Sequence, residues 1–211
     1  MELLGSFELD QRDLWLHEGT RQPRAIALVG NVGSDIWPHF DAAQQRRSGL
    51  TLDQWTEDII DGIASNFGFD AVYPFKGPPY YPFIEWAKRT GSLFSSPIGL
   101  TIHPVYGLWI AFRAALLISQ DHPIDVNGSS AQRPCDSCPS RPCLTTCPVN
   151  AFTETGYHFE ACLDHIATPD NTCREGGCLA RRSCPIGSDH RYKNPHAAFH
   201  MAQLLRAHSK T

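Results

Sequence analysis

All eight cysteines of this 211-residue chain fall between Cys135 and Cys184, and the first 134 residues contain none. The stretch CDSCPSRPCLTTCP, residues 135–148, alone carries four of them. Thiols at that density serve disulfides, zinc sites or iron–sulfur clusters, and spacing and compartment decide among the three. Disulfides need an oxidising compartment. The N-terminus, MELLGSFELDQRDLWLHEGT, has early acids and no basic segment followed by an apolar run, so it offers no secretory signal. Two four-cysteine zinc sites would favour two close C-x2-C pairs each, and there is one such pair, Cys135 and Cys138.

The spacing itself points to iron and sulfide. The first set runs Cys135-x2-Cys138-x4-Cys143-x3-Cys147-Pro148, and the second Cys162-x10-Cys173-x4-Cys178-x5-Cys184-Pro185. Both are stretched forms of the run C-x2-C-x2-C-x3-C-P, in which the fourth cysteine ligates the other of two clusters. Three thiolates on a tight loop can hold three irons of one cubane, and the fourth ligand must arrive from another segment. This assigns one 4Fe–4S cluster to Cys135, Cys138, Cys143 and Cys184, and a second to Cys147, Cys162, Cys173 and Cys178. The long spacers of the second set leave open a single intact cluster.

Composition narrows the rest. The chain is 42% hydrophobic and 19% charged, with net charge −4 and a pI near 6.2. That balance argues against a nucleic-acid partner, which calls for a basic excess. The longest apolar run, Leu108 to Ile118, is interrupted by Arg113 and too short to span a bilayer. A cytoplasmic protein with no membrane partner is expected.

Several elements must position the thiols. AIALVGNVG (25–33) reads as a buried strand, and AVYPF (71–75) as a short one. Between them Thr51 and Gln54 form a capping box, Gly68 is placed to end the helix, and Leu52, Trp55, Ile59, Ile60, Ile63 and Phe67 make its apolar stripe. A Pro- and aromatic-rich loop (76–97) carries a short helix at Phe83 to Arg89; it could border a ligand or be packed surface. Residues 98–119 read as two strands joined by the turn His103-Pro104-Val105-Tyr106-Gly107, with a helix from Leu108 as the competing reading. A polar linker, 121–134, precedes the cysteines. The chain closes on a helix with Asn194 as N-cap, Pro195 at its first turn and Phe199, Leu204 and Leu205 as its apolar stripe. LVGNVGSD is too weak a glycine pattern to count as a phosphate loop.

Residues 95–190 resemble the cobalamin-dependent iron–sulfur reductases, the superfamily of epoxyqueuosine reductase and the reductive dehalogenases. The resemblance rests on IGLTIHPVYGLWIAFRAALLI ahead of the cysteines, on FEACLDHIA between the two sets and on CLARRSCPIG at their end. The IHPVYGLWIAFR segment is also similar to the fold of the cobalamin-trafficking chaperone. The resemblance implies an α+β protein with three parts. These are a nitroreductase-like α/β/α sandwich over residues 1–128, a small two-cluster bacterial ferredoxin-like domain over 129–190 and a C-terminal helix over 191–211. It implies an oxidoreductase that passes electrons from a redox partner protein through two 4Fe–4S clusters to a cobalamin, for reduction of a small-molecule substrate or of the corrinoid itself. FMN is the alternative cofactor, and a plain ferredoxin-type electron carrier is the alternative function. His103, Tyr106, Gly107 and Arg113 are the residues the resemblance places at the cofactor. A turn-capping role for His103 and an internal carboxylate partner for Arg113 are their simpler readings. Neither the reductase's helical-repeat region nor the dehalogenases' twin-arginine signal is expected within residues 1–211.

Overall fold

A computed structural model describes residues 1–17, 22–119, 131–153 and 156–208. The chain divides into two compact units, Met1–Phe94 with Ile110–Ala131, and Ser95–Trp109 with Gln132–Thr211. The expected domain boundary at 128–129, and most of the expected linker, lie outside the described residues.

The first unit mixes sheet and helix. Strands β1 (Glu2–Glu8), β2 (Pro23–Val32), β3 (Asp70–Val72) and β6 (Ile110–Ser119) form one antiparallel sheet in the order β1-β2-β6-β3. β2 and β6 are its interior strands. Their uninterrupted apolar runs suit strands covered on both faces, and Ile26, Leu28, Ala114 and Ala115 are fully buried. The run from Leu108 is therefore strand, as its β-branched and aromatic residues suggest, and the helical alternative falls.

Helices α1 (Trp37–Arg46), α2 (Leu52–Phe67) and α3 (Phe83–Arg89) complete this unit. α2 starts on the capping box: the Thr51 side chain accepts from the Gln54 N–H, and the Gln54 side chain accepts from the Thr51 N–H. It ends on Gly68 in the left-handed region, φ 69°. Thr51→Ala should cost about 1 kcal/mol of stability, read as a lower midpoint in urea unfolding of the full chain.

The apolar stripe of α2 is not the one expected. Leu52, Thr56, Ile60 and Ala64 form the buried ridge, while Ile63 and Phe67 are 42% and 58% exposed. Thr56 fits there because its hydroxyl donates to the Leu52 carbonyl at 2.8 Å. Trp55, Ile59 and Ile63 instead line an open groove with Val29, Ile36 and Leu116. In the aromatic loop, Trp86 is buried, and Trp15, Tyr81 and Trp86 stack on one another at 5.9–6.4 Å, so that part of the loop is packed. Tyr80 is exposed.

The second unit has little regular structure. After β4 (Phe94–Ser95), where the chain leaves the first unit, comes β5 (Thr101–Ile102). The strand pair expected around His103 shrinks to a single antiparallel bridge, His103 to Gly107, closed by two N–H···O bonds of 2.9 Å. The segment after it cannot extend that pairing, because β6 is committed to β2 and β3. The cysteine region then runs through α4 (Pro142–Thr145), the hairpin β7 (Phe152–Thr153) and β8 (Gly156–Tyr157), α5 (Phe159–Ala167), α6 (Thr172–Gly176) and α7 (Leu179–Arg182). α8 (Asn194–His208) closes the unit, burying His196, Ala197 and Met201 while Leu204 and Leu205 are partly buried. Among the described residues no helix is long and apolar enough to cross a membrane.

Candidate metal centre

Short helices and turns present the thiols. A 3-10 turn at Pro134–Ser137 carries Cys135 and ends on Cys138, and Cys143 sits in the first turn of α4 behind Pro142. Cys162 lies on α5, Cys173 on α6, Cys178 at the N-cap of α7 and Cys184 just past its end. All eight are free thiols.

They sort into two groups by electrostatic influence. Cys138 and Cys184 add to the upward push that burial gives Cys135 and Cys143, and Cys138 adds to that on Cys184. Cys147, Cys162, Cys173 and Cys178 form the second set. The groups are interleaved along the chain: Cys184, last in sequence, joins the first, and Cys147 leaves its sequence neighbours for the second.

The first group lines one small cavity of about 20 Å³. The other walls are Ser96, Pro97, Ile102 and Leu108 from the 95–109 segment, Pro134, Arg141 and Pro142, and Pro185 and Ile186. The second group is packed under α8, where Cys162 and Cys173 meet Ile166, Met201, Leu163, Leu204 and Leu205. Burial pushes the thiols of Cys135, Cys143, Cys173, Cys178 and Cys184 up from their ordinary range. Backbone donors oppose this: Leu179 N–H reaches Cys173, Ala180 and Arg181 reach Cys178, and Ile186 reaches Cys184. Ala151 N–H donates to Cys147 Sγ at 3.3 Å. Such N–H···S contacts favour thiolate over thiol, which is the form that binds metal.

A 4Fe–4S cluster fits this donor set. It asks for four thiolates, each on a different iron, in an apolar enclosure with N–H donors to sulfur. Among the described residues no three His, Cys, Asp or Glu side chains close on a single metal ion. A four-iron cluster needs a wider cage than that.

Supporting residues hold the short helices in place. Asn171 is buried; its Oδ1 accepts from the N–H groups of Cys173 and Arg174, and its Nδ2 donates to the His165 carbonyl at 2.7 Å. One side chain thus ties the end of α5 to the start of α6, and with them Cys162 to Cys173. Arg181 donates to the Leu108 carbonyl at 3.0 Å and lies over the rings of Trp109 and Tyr192. His196 is fully buried, stacks on Tyr192, and its Nε2 lies 3.0 Å from that of His200. Sequence reasoning missed all of these. Asn171, two residues ahead of Cys173, is the one with a local signal, since Asn is a preferred N-cap.

The residues expected at an organic cofactor belong to different units. His103 Nδ1 accepts from the N–H groups of Val105 and Tyr106 at 3.1 and 3.2 Å, and the ring stacks on Tyr106 at 4.4 Å. It caps its own turn. Tyr106 meets His190 edge-on at 5.1 Å. Gly107, at φ 60°, lies against the Ile186–Gly187 backbone so closely that a Cβ there would overlap the Ile186 carbonyl. Its glycine answers to the segment that follows Cys184-Pro185. Arg113 is in the first unit, 6% exposed. Its Nε donates to Asn31 Oδ1 at 2.8 Å. Asp53, whose carboxyl burial pushes up, feels the Arg113 charge.

No family model and no curated protein matches the chain. A solved structure of epoxyqueuosine reductase from Bacillus subtilis superposes with a TM-score of 0.48 at 15% identity, covering 92% of this chain. The chain spans 64% of that one's length.

Proposed function

We propose that the chain is an iron–sulfur oxidoreductase of the reducing cytoplasm, holding two 4Fe–4S clusters in its second unit. The observation that carries this reading is the convergence of Cys135, Cys138, Cys143 and Cys184 on one largely apolar cavity. Cys135, Cys138, Cys143 and Cys184 would hold the first cluster, and Cys147, Cys162, Cys173 and Cys178 the second. When bound, the clusters supply one-electron transfer. The chain's own residues do the rest. Pro97, Ile102, Leu108 and Ile186 keep water from the first group, the backbone donors balance the charge on sulfur, and α8 seals the second group.

A corrinoid in the first unit is proposed as the electron acceptor on the strength of the sequence resemblance. In the structure His103 caps its own turn, Gly107 lies against the Ile186–Gly187 backbone and Arg113 donates to Asn31. That engagement favours a second reading, an electron carrier that exchanges electrons between partner proteins and binds no organic cofactor.

Titration separates the two. Anaerobically purified protein is mixed with hydroxocobalamin, and separately with FMN, without added reductant, and visible absorption is compared with that of the free compounds. Shifted corrin bands at one equivalent support the reductase. No response to either compound leaves the carrier.

A further inference from the structure

Ser96 lines the cavity of the first thiol group. It is 8% exposed, and its Oγ finds no hydrogen-bond partner among the described residues. Its backbone is engaged otherwise: the N–H donates to the Leu100 carbonyl, and its own carbonyl accepts from the Gly99 N–H. A buried hydroxyl left unsatisfied costs roughly 1–3 kcal/mol. The walls around it are mainly proline, leucine, isoleucine and thiol, with Arg141 the one charged side chain.

We infer that Ser96 Oγ–H donates to a sulfur of the first cluster and sets that cluster's reduction potential. The inference rests on the proposed cluster occupancy. With a cluster held by Cys135, Cys138, Cys143 and Cys184, the step Ser96 would govern is a one-electron reduction, in which a reduced carrier protein would supply the electron and no covalent bond would be made or broken. The added negative charge is spread over sulfur, so an O–H donor binds the reduced state more strongly than the oxidised one. Hydrogen bonds to the sulfurs are a recognised lever on cluster potential. Ser96 therefore acts as a positioning residue in the wall, and it makes the first cluster easier to reduce.

The test is Ser96→Ala, with Ser96→Thr as the variant that keeps the hydroxyl, each followed by redox titration with EPR on the cluster-loaded protein. Ser96→Ala should shift one of two signals to lower potential, changing its reduced-to-oxidised ratio about tenfold at a fixed poise, or about 59 mV for one electron. Ser96→Thr should restore it. The alanine variant should fold and load iron as wild type does, because it removes a hydroxyl without a protein partner. Unchanged potentials in Ser96→Ala at full iron content would overturn the inference and leave the cluster assignment standing. An equal shift in Ser96→Thr would also overturn it, since packing would then be the cause. Wild-type protein without iron at Cys135, Cys138, Cys143 and Cys184 would overturn both.

Discussion

Cys184→Ala should halve the iron content of the protein, from about eight to about four per chain, although seven of the eight thiols remain. The group assigned to one cubane is Cys135, Cys138, Cys143 and Cys184, which share one cavity. Cys147→Ala should halve the iron as well, but through the other cluster, although it follows Cys143 by four residues. The pairings make this decisive. Cys184→Ala combined with Cys143→Ala should be no worse than either alone, since both remove the same cluster. Cys184→Ala combined with Cys147→Ala should leave almost none. The check is iron and acid-labile sulfide per chain, with EPR identifying the surviving signal. If the cysteines act by sequence proximity instead, the Cys143 and Cys147 variants will behave alike and the Cys184 variant apart.

Gly107→Ala should be the most damaging substitution outside the cysteines. Two costs add there. A non-glycine residue at φ 60° is strained by roughly 1–2 kcal/mol, and the new methyl overlaps the Ile186 carbonyl, which overpacking series put at another 1–3 kcal/mol. Gly68→Ala isolates the first cost, because its φ is similar and nothing lies within 4 Å of the added methyl. Unfolding free energies from urea titration should therefore fall by about 1–2 kcal/mol for Gly68→Ala and about 2–5 kcal/mol for Gly107→Ala. Ile186 is two residues beyond Cys184, so the displaced backbone should also cost the first cluster before the second. Iron content near half, with the second cluster's EPR signal intact, is the expected signature. Equal losses for the two glycine variants would show that the Ile186 contact does not matter.

How much of this was legible in the sequence depends on how local each signal is. The start and end of α2 were legible because Thr51, Gln54 and Gly68 act on backbone groups a few bonds away. Its buried ridge was not: Ile63 and Phe67 share a helix face with the core residues, and only the placement of α1 and the sheet decides that Thr56 and Ala64 go inside. The short helix at Phe83 to Arg89 and the strand through Ala114 were readable from apolar pattern and turn residues. The proposed crossed order of the thiols, with Cys184 in the first group and Cys147 in the second, was suggested by the two terminal Cys-Pro pairs.

The 95–109 segment was harder. His103 bonds to its own turn and Gly107 makes room for Ile186. Through Ser96, Pro97, Ile102 and Leu108 the segment supplies one wall of the thiol cavity. No spacing rule connects a serine at 96 to a cysteine at 135, and a lone serine carries no signal until burial leaves its hydroxyl without a partner. The Arg181 guanidinium between Trp109, Tyr192 and the Leu108 carbonyl was hidden for the same reason.

The most direct test of the two-cluster assignment is the iron and acid-labile sulfide content of wild-type protein purified without oxygen. The expected result is about eight of each per chain, with no zinc. About four of each would contradict the second cluster, and zinc in place of iron, or thiols joined as disulfides, would contradict the assignment altogether.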